Sequence, residues 1–405
     1  MDNRKRIRSL IENRSVDGIF VNEQKREENY KVCKILGAEI RVWGAQGARG
    51  LSHDITAGLR TIIRRVQPIL PIALMADFHP AEFGVVGSVV ASSDVLVPDL
   101  IGSDCGCGVY AINTDIFVEQ LGSNNLQELY LEISKCVPVG SAQNTSVKER
   151  LEALSIWEQL QDLPFIGTSH LRKLHLQMGS LGGGNHFLEL AVDENSKLWL
   201  LVHSGSRYLG SLLRDHYRGQ NIRLDSDDRV KFQNSQQVVL KYARLSRKEI
   251  AERSLECLWS RFGIEIFKKL EIDIAHNFIE LTPENGQLLA IHRKGACPAN
   301  QRQVGVIPGS MATGSYVVEG RGSSSSYSSS SHGAGRRLSR KEAFKSLSLR
   351  EFRRDMNQVV WSGSEKLKDE SPKAYKDLET VVRAQSDLVK VKQRLRPILS
   401  IKGEE

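Results

Sequence analysis

Three blocks of short apolar runs, each interrupted by loops rich in glycine and polar residues, constrain the fold of this chain more than any other feature. The blocks cover residues 72–110, 179–210 and 288–320. Runs of this length bounded by Gly, Asp and Pro are typical of packed β-strands, and the loops between such strands are where polar functional groups are usually placed. The chain is therefore expected to build sheets whose ends carry its chemistry.

Apolar residues at three- and four-residue steps predict helices between these blocks, over residues 123–162, 227–277 and 375–396. In the second of these helices, the residues expected to face inward are Ile250, Leu255, Leu258, Phe262 and Phe267. No internal repeat is visible. The fold class we expect is α+β: a single large domain over residues 1–405, with central β-sheets flanked by helices and a helical excursion around 211–275.

A serine run at residues 323–331 (SSSSYSSSS) has the composition of a flexible linker. It leads without a break into residues 332–336 (HGAGR), whose spacing of glycines around a His and an Arg suits a phosphate group. That position argues against a linker, and we expect an ordered segment instead.

The composition excludes several classes of protein. Of the 405 residues, 40% are hydrophobic and 26% are charged, which is the balance of an ordinary globular protein and not of a disordered or fibrous chain. Because no stretch approaches about 18 consecutive apolar residues, we predict no membrane span. The charged start of the sequence continues without an apolar region, so we expect no secretory signal and a cytoplasmic location.

Basic residues are concentrated near the end of the chain. The net charge is +8, and residues 332–405 contain 18 Lys and Arg against 11 Asp and Glu. A basic region of this size favours a polyanionic partner such as RNA. The alternative, which charge alone leaves open, is a set of solvated helix faces.

The six cysteines are too few and too irregularly spaced for a disulfide framework. We therefore expect reduced thiols, with metal binding as their special use. They are Cys33, Cys105, Cys107, Cys136, Cys257 and Cys297.

Two clusters of residues suggest a metal site. Residues 104–108 (DCGCG) place the carboxylate of Asp104 and the thiol of Cys107 in a glycine-rich loop, and both groups are anionic ligands when deprotonated. His186 follows three glycines, while His203 and His276 each follow a strand-like run. Each histidine alone is more often a satisfied core residue, but five such groups together indicate a site of mixed hard and soft ligands. Zinc, manganese and iron all suit that ligand set.

Two further segments are expected to face a nucleotide, namely residues 307–316 (IPGSMATGSY) and the loop at His332. The sequence has no Walker A motif and no dinucleotide-binding glycine pattern, which argues against a P-loop NTPase. The imidazole of His332 could act as a nucleophile toward phosphorus and form a phosphoramidate. The alternative is a glycine-rich turn that contains an incidental histidine.

Taken together, these segments resemble the RtcB family of GTP-dependent RNA ligases, which join 3′-phosphate to 5′-hydroxyl ends. The resemblance covers the chain from about residue 75 to residue 403, with the motifs in family order. Residues 76–84 (ADFHPAEFG) are a looser version of the family's Pro-Asp-Val-His stretch, Cys105 and the serine run are unusual, and residues 1–70 form a poorly matched N-terminal part before the motif-bearing part at 71–405. The other matching segments are 104–108 (DCGCG), 181–189 (LGGGNHFLE), 203–207 (HSGSR), 275–277 (AHN), 292–296 (HRKGA), 308–311 (PGSM), 332–336 (HGAGR) and 401–403 (IKG).

The resemblance implies roles for individual residues. His332 would be the nucleophile that becomes guanylylated by GTP, and two Mn²⁺ ions would be held by Asp104, Cys107, His186, His203 and His276. Arg207 and Arg336 would bind phosphates of RNA or nucleotide. The nucleotide-binding residues would be Asn185, Phe187, Leu188, Glu189, Asn277, Pro308, Gly309, Ser310, Met311, Ser315, Gly333, Ala334, Gly335 and Lys402.

The implied function is an RNA ligase in RNA repair or tRNA splicing. It would act on RNA that ends in a 2′,3′-cyclic phosphate or 3′-phosphate, form an RNA 3′-phosphate–GMP intermediate, and join it to a 5′-hydroxyl end. We expect a monomer without a membrane partner, and an archease-like activator is a candidate protein partner. Two alternatives stay open: a metal-dependent RNA-end phosphoesterase without ligation, and a non-catalytic RNA-binding protein that uses the basic C-terminal region.

Overall fold

A computed structural model describes residues 20–22, 29–44, 47, 51–68, 70–122, 125–145, 151–284 and 286–404. Its helices are α1 (His53–Val66), α2 (Leu126–Cys136), α3 (Leu151–Gln161), α4 (Thr168–Gln177), α5 (Tyr208–Tyr217), α6 (Asp227–Phe262), α7 (Arg340–Ser346), α8 (Leu349–Asp355) and α9 (Leu378–Arg383). Its strands are β1 (Phe20–Asn22), β2 (Tyr30–Ile35), β3 (Ala38–Trp43), β4 (Ile72–Pro80), β5 (Val85–Ser92), β6 (Val95–Leu96), β7 (Gly108–Phe117), β8 (Phe187–Val192), β9 (Lys197–Ser204), β10 (Ile222–Arg223), β11 (Lys268–Ala275), β12 (Asn277–Glu284), β13 (Gln287–Lys294), β14 (Ala296–Pro298), β15 (Val304–Pro308), β16 (Ser315–Gly320), β17 (Ser329–Ser331) and β18 (Val389–Ile401).

Two seven-stranded sheets form the centre of the molecule. The first has the strand order β1-β2-β3-β4-β5-β13-β12, and the second has the order β11-β7-β9-β8-β18-β16-β15. In the second sheet the edge strands β11 and β15 also contact each other, so this sheet nearly closes into a barrel. Helices flank the sheets, which confirms the predicted α+β class. In the described part of the chain, no helix is both long and apolar enough to span a membrane.

Local signals explain where the main helices begin and end. Ser52 accepts a hydrogen bond from the backbone N–H of Ile55 at the start of α1, and two arginines occupy its last turn. Helix α6 begins with two aspartates and ends at Gly263, whose left-handed backbone stops the helix. Helix α6 packs against β7 and β9, with Ile250, Leu255 and Leu258 buried in the core below.

The structure corrects three predictions about secondary structure. The helical excursion over 211–275 is wrong in its last part, because α6 stops at Gly263 and residues Lys268–Ala275 form strand β11. Phe267, expected to face inward, lies past the end of that helix and is 57% exposed. The helix predicted over 123–162 is two helices, α2 and α3. The chain leaves α2 at Val137 in an extended conformation, and Val139 then forms a β-bridge with Gly182.

The predicted C-terminal helix over 375–396 is also wrong. Only Leu378–Arg383 is helical, and Val389–Ile401 is a strand that pairs with β16 and then with β8. Pro397 lies inside this central strand, where it cannot donate a ladder hydrogen bond. The register of the β8 pairing shifts between Pro397 and Leu399, and a bulge of this kind accommodates the proline.

The serine run is ordered and buried, as its position before His332 indicates. It forms a 3₁₀ turn at Ser324–Ser326 and strand β17, which pairs with β14. Ser326 Oγ donates to the carbonyl of Ser329, and the buried Arg293 donates to Ser329 Oγ. The hydroxyl groups of Ser326 and Ser329 can therefore be buried because each has a polar partner close by.

Candidate metal and nucleotide site

The predicted metal ligands meet at one end of the second sheet. Cys107 precedes β7, His186 precedes β8, and His203 lies near the end of β9. Because these strands are antiparallel, their register places Gly108 opposite Ser204 and Phe187 opposite His203. His276 joins the same edge, since Ala275 pairs with Gly108 at the end of β11.

Three side chains converge closely enough to hold one metal ion. Cys107 Sγ lies 3.4 Å from His186 Nε2 and 3.3 Å from His203 Nε2. The ligand atoms of these three residues all lie within 4.8 Å of one another. Asp104 Oδ2 is 3.0 Å from His186 Nε2, and the ring of His276 lies 5.2 Å from the ring of His203.

Two buried polar atoms at this site lack a hydrogen-bond partner in the described structure, namely Asp104 Oδ1 and His276 Nδ1. Unsatisfied buried polar atoms are rare and costly, and a bound cation would satisfy the aspartate oxygen and the imidazole nitrogen. Carboxylate, thiolate and imidazole ligands together suit a divalent transition metal. The residues therefore fit a divalent metal ion, for which zinc, manganese and iron are all chemically suitable.

The surroundings favour the neutral, metal-binding form of His203 and His276 but disfavour the metal-binding thiolate form of Cys107. Burial lowers the pKa of His203 and of His276 well below the usual value, so both imidazoles are neutral. Burial acts to raise the pKa of Asp104, but the hydrogen bond and charge of His186 prevail and hold it at about 2. Burial, reinforced by Asp104, raises the pKa of the Cys107 thiol well above its usual value.

Metal binding is therefore expected to release a proton from Cys107, because a metal binds the thiolate. Calorimetric titration of the protein with Mn²⁺ at neutral pH, in buffers of different ionisation enthalpy, measures the protons released. The Cys107→Ser variant should bind Mn²⁺ more weakly and release about one proton fewer, since a serine hydroxyl stays protonated. The same proton count in both proteins would exclude Cys107 as a ligand.

Close backbone approach explains the glycines around these ligands. A Cβ on Gly205 would lie 2.1 Å from Asp104 Oδ1, and a Cβ on Gly182 would lie 1.0 Å from Arg207 Nη1. Gly182 also has a positive φ of 91°. These two glycines leave room for Asp104 to reach the ligands and for Arg207 to donate to His186 Nδ1 at 3.0 Å.

Buried Arg247 of α6 supports the site from behind. Its guanidinium donates to the carbonyls of Gly106 and Ser204, which are the neighbours of Cys107 and His203. It also forms an ion pair with Asp273 of β11. Such contacts behind the ligands hold their backbone in place and orient them.

His332 lies beside the ligands and is held by a buried aspartate from the first sheet. Its Nδ1 is 2.6 Å from Asp77 Oδ2, and the same oxygen accepts hydrogen bonds from the backbone N–H groups of His332 and Gly333. Burial alone would raise the pKa of Asp77, but His332, Lys376 and His79 lower it, so the carboxylate is ionised. The ring of His332 is 4.7 Å from that of His276.

A cavity of about 300 Å³ is lined by His332 and by one of the predicted metal ligands, His203. This volume is within the range of small-molecule sites. Most of the predicted nucleotide residues line it, together with residues that the sequence analysis did not nominate. The lining is His79, Asn185, Phe187, Glu189, His203, Pro308, Gly309, Ser310, Met311, Ser315, His332, Gly333, Ala334, Gly335, Arg336, Arg340, Glu370, Tyr375, Ser400 and Lys402.

Some nominated residues lie outside this cavity. Leu188 is buried in the core of the second sheet, and the Asn277 side chain bridges the Asp104 carbonyl and the Gly295 N–H. Arg207 faces a separate opening shared with Asp104, His186 and Tyr208. These positions suit support of the site more than direct contact with a nucleotide base.

Charged residues at the far end of the cavity form a buried network. Glu370 pairs with Arg336 and Arg340 and accepts a hydrogen bond from Lys402 Nζ. Burial would raise the pKa of Glu370, but Lys402 and Arg340 lower it to about 2. Arg336 is therefore already paired in this structure.

Asp77, Arg340, Glu370, Tyr375 and Ser400 were missed by sequence reasoning. His79 was missed as well. Asp77 and His79 could have been found, because both lie in the segment 76–84 that matched the family's Pro-Asp-Val-His stretch. Nothing in the sequence connects these residues with His332, which lies 255 residues from Asp77.

Comparisons with known proteins identify the family of the chain. The family model described as "tRNA-splicing ligase RtcB" matches residues 61–403. "RNA-splicing ligase RtcB" of Escherichia coli strain K12 is 30% identical over 93% of this chain and 100% of its own length. "tRNA-splicing ligase RtcB" of Nanoarchaeum equitans is 28% identical over 82% of this chain and 88% of its own length. With its fold, its cluster of ligands and these matches, the chain belongs to the RtcB family.

Proposed function

We propose that this protein is a GTP- and Mn²⁺-dependent RNA ligase that joins 2′,3′-cyclic phosphate or 3′-phosphate ends to 5′-hydroxyl ends. The observation that carries the proposal is the position of His332. Its ring lines the same cavity as His203 and Glu189, lies 4.7 Å from the ring of His276, and has its Nδ1 2.6 Å from the buried carboxylate of Asp77. The names of the relatives, which are RNA- and tRNA-splicing ligases, support the same substrate class.

Asp77 would prepare His332 for nucleophilic attack. With the ionised carboxylate only 2.6 Å from Nδ1, the proton of the neutral ring would be held on Nδ1, so that Nε2 keeps its lone pair and can attack the α-phosphorus of GTP. The new Nε2–P bond forms as the bond to the β-phosphate oxygen breaks, and pyrophosphate leaves. Asp77 also accepts hydrogen bonds from the backbone N–H groups of His332 and Gly333. These bonds hold the loop so that the ring keeps one orientation.

Two Mn²⁺ ions, held by Asp104, Cys107, His186, His203 and His276, would neutralise phosphate charge and orient the reacting groups. Asn185 follows the glycine loop and is exposed beside the ligands, where it would hold the α-phosphate. Gly333, Ala334 and Gly335 would line the nucleotide, and Arg207 and Arg336 would contact phosphates.

His332 would then pass the GMP to the RNA end. An oxygen of the RNA 3′-phosphate attacks the phosphorus of the guanylylated histidine, which frees Nε2 and leaves GMP on the RNA end. The 5′-hydroxyl of the second strand then attacks the RNA phosphorus, and GMP leaves as the phosphodiester forms. A cyclic end is first opened to the 3′-phosphate by water.

The other end of the cavity would select guanine. The Glu189 carboxylate is buried, its Oε1 has no hydrogen-bond partner in the described structure, and Ser400 Oγ beside it also lacks one. A carboxylate can accept two parallel N–H donors, and guanine presents such a pair at N1 and N2. Ser310, Ser315 and Lys402 would complete the contacts with the base.

Guanine binding is therefore expected to depend on pH through Glu189. Burial raises the pKa of Glu189 to about 8, although Lys402 acts to lower it, so the side chain is mostly protonated below that pH in the empty cavity. The base requires the ionised form, so GTP affinity should rise about tenfold per pH unit up to pH 8 and then level off. Glu189→Gln should bind GTP more weakly and show no such rise. A parallel rise in the variant would assign the effect to another group.

Joining of RNA ends tests the proposal as a whole. The protein is incubated with Mn²⁺, GTP and two RNA strands, one ending in a 2′,3′-cyclic phosphate and the other starting with a 5′-hydroxyl. We expect a joined product that requires GTP. Opening of the cyclic phosphate without GTP and without joining would favour a phosphoesterase, and RNA binding without any reaction would favour a binding protein.

A further inference from the structure

Two cysteines outside the site described above lie in contact with each other. Cys136 ends helix α2 and Cys257 lies in helix α6, and their Sγ atoms are 3.4 Å apart. Both thiols are half-buried, whereas the four other cysteines are buried. The two residues are 121 positions apart in the sequence, so the packing of α2 on α6 brings them together.

The surroundings make these two thiols chemically different. The hydrogen bond with Cys257, aided by the charge of Arg253, lowers the pKa of Cys136. The Arg253 guanidinium is fixed there by hydrogen bonds to the Cys136 carbonyl, Asn144 Oδ1 and Glu249 Oε1. The same hydrogen bond, together with burial, raises the pKa of Cys257. Cys136 is thus the better nucleophile, and Cys257 is the neighbouring thiol that can attack the oxidised Cys136 sulfur.

We propose that Cys136 and Cys257 form a reversible disulfide when the protein meets a hydroperoxide. The Cys136 thiolate attacks one peroxide oxygen and the O–O bond breaks, which gives a sulfenic acid and, after protonation, water or an alcohol. The Cys257 sulfur then attacks the Cys136 sulfur, an S–S bond forms, and the sulfenic hydroxyl leaves as a second water. The two thiols lose two electrons and the peroxide gains them.

The distances allow this reaction with small movements. The sulfur atoms must approach from 3.4 Å to about 2.05 Å, which rotation of the two side chains can supply. The thiols of Cys33 and Cys297 are poorer targets because burial raises their pKa values, that of Cys33 to about 12. Cys107 is buried whereas Cys136 and Cys257 are half-buried, so a peroxide should reach the pair first.

The position of the disulfide gives it a structural effect. The chain that leaves Cys136 contacts the glycine loop at once, since Leu181 N–H donates to the Pro138 carbonyl and Gly140 N–H donates to the Gly182 carbonyl. The Gly140 carbonyl in turn accepts from Arg207, which contacts His186. A disulfide at Cys136 would therefore link the segment after α2, which contacts the glycine loop that carries His186, covalently to α6. This inference does not depend on the proposed ligase activity.

The test uses the full chain loaded with Mn²⁺ and a slight molar excess of hydrogen peroxide, followed by blocking of free thiols and peptide mapping without reduction. We expect a peptide linked through Cys136 and Cys257 that dithiothreitol separates, and a Tm about 2–6 °C higher than in the reduced protein. Cys136→Ser and Cys257→Ser should show neither the link nor the Tm rise, and the matched control Cys33→Ser should behave as the wild type.

The peptide map of the wild type decides the matter even if a variant folds poorly. Separate oxidation of the two thiols without a link, or modification of Cys107 before the pair reacts, would overturn the proposal. A linked peptide without any rise in Tm would confirm that the disulfide forms but contradict its stabilising effect.

Discussion

His332→Ala is expected to lower RNA joining by at least about 10⁴-fold, because it removes the atom that accepts the nucleotide. The side chain is only 12% exposed and lines the cavity. The two other histidines of the cavity make different contacts, because His79 Nδ1 lies against the carbonyl of Asp77 and His203 Nε2 lies 3.3 Å from Cys107 Sγ. Joining rates with Mn²⁺, GTP and matched RNA ends measure the loss.

A substrate that bypasses the first step supplies the control for this variant. RNA that already carries GMP on its 3′-phosphate does not need His332 as a nucleophile, so the variant should seal it at close to the wild-type rate. Loss of sealing with this substrate as well would mean that the substitution damages the site in general. Full joining by the variant with ordinary ends would exclude His332 as the nucleophile.

Asp77→Asn is expected to slow GMP attachment to the protein by about 10²–10⁴-fold, as happens when a buried carboxylate that orients a catalytic histidine is replaced by its amide. An amide side chain can direct its NH₂ group at Nδ1, which would leave the proton on Nε2 and remove the nucleophilic lone pair. Asp77 is fully buried and its Oδ2 also accepts two backbone N–H groups, so the loop would be disturbed too. Single-turnover labelling with GTP measures the rate.

Asp387→Asn is the matched control, since this carboxylate accepts a hydrogen bond from the Trp43 indole and does not line the cavity. It should label at the wild-type rate. Sealing of RNA that already carries GMP should be little affected by Asp77→Asn, because the aspartate acts through His332. An unchanged labelling rate in Asp77→Asn would contradict the orienting role.

The ligand cluster was predictable because its signals are local. A glycine-rich loop next to an apolar strand marks where a strand ends, and antiparallel pairing then brings Cys107, His186 and His203 to one edge. Even without the resemblance, the residue types and the strand pattern indicate a metal site. The partners of His332 were not predictable in this way, because Asp77 comes from the other sheet.

The errors in secondary structure also have physical causes. In β18, basic residues alternate with Val389, Val391 and Leu395, and three- and four-residue steps among the same residues imitate a helix. Pro397 then looks like a helix end, whereas in the structure it lies next to a register shift inside a sheet. The serine run looks polar, but its hydroxyls find partners that only the folded chain brings near.

The proposed ligation depends on transfer of GMP from GTP to His332, and mass spectrometry of the protein after incubation with Mn²⁺ and GTP detects this step. We expect one GMP per chain, attached through an acid-labile nitrogen–phosphorus bond to the peptide that contains His332, and no GMP on His332→Ala. Joined RNA ends in the absence of any adduct, or an adduct on another residue, would exclude His332 as the guanylylated residue.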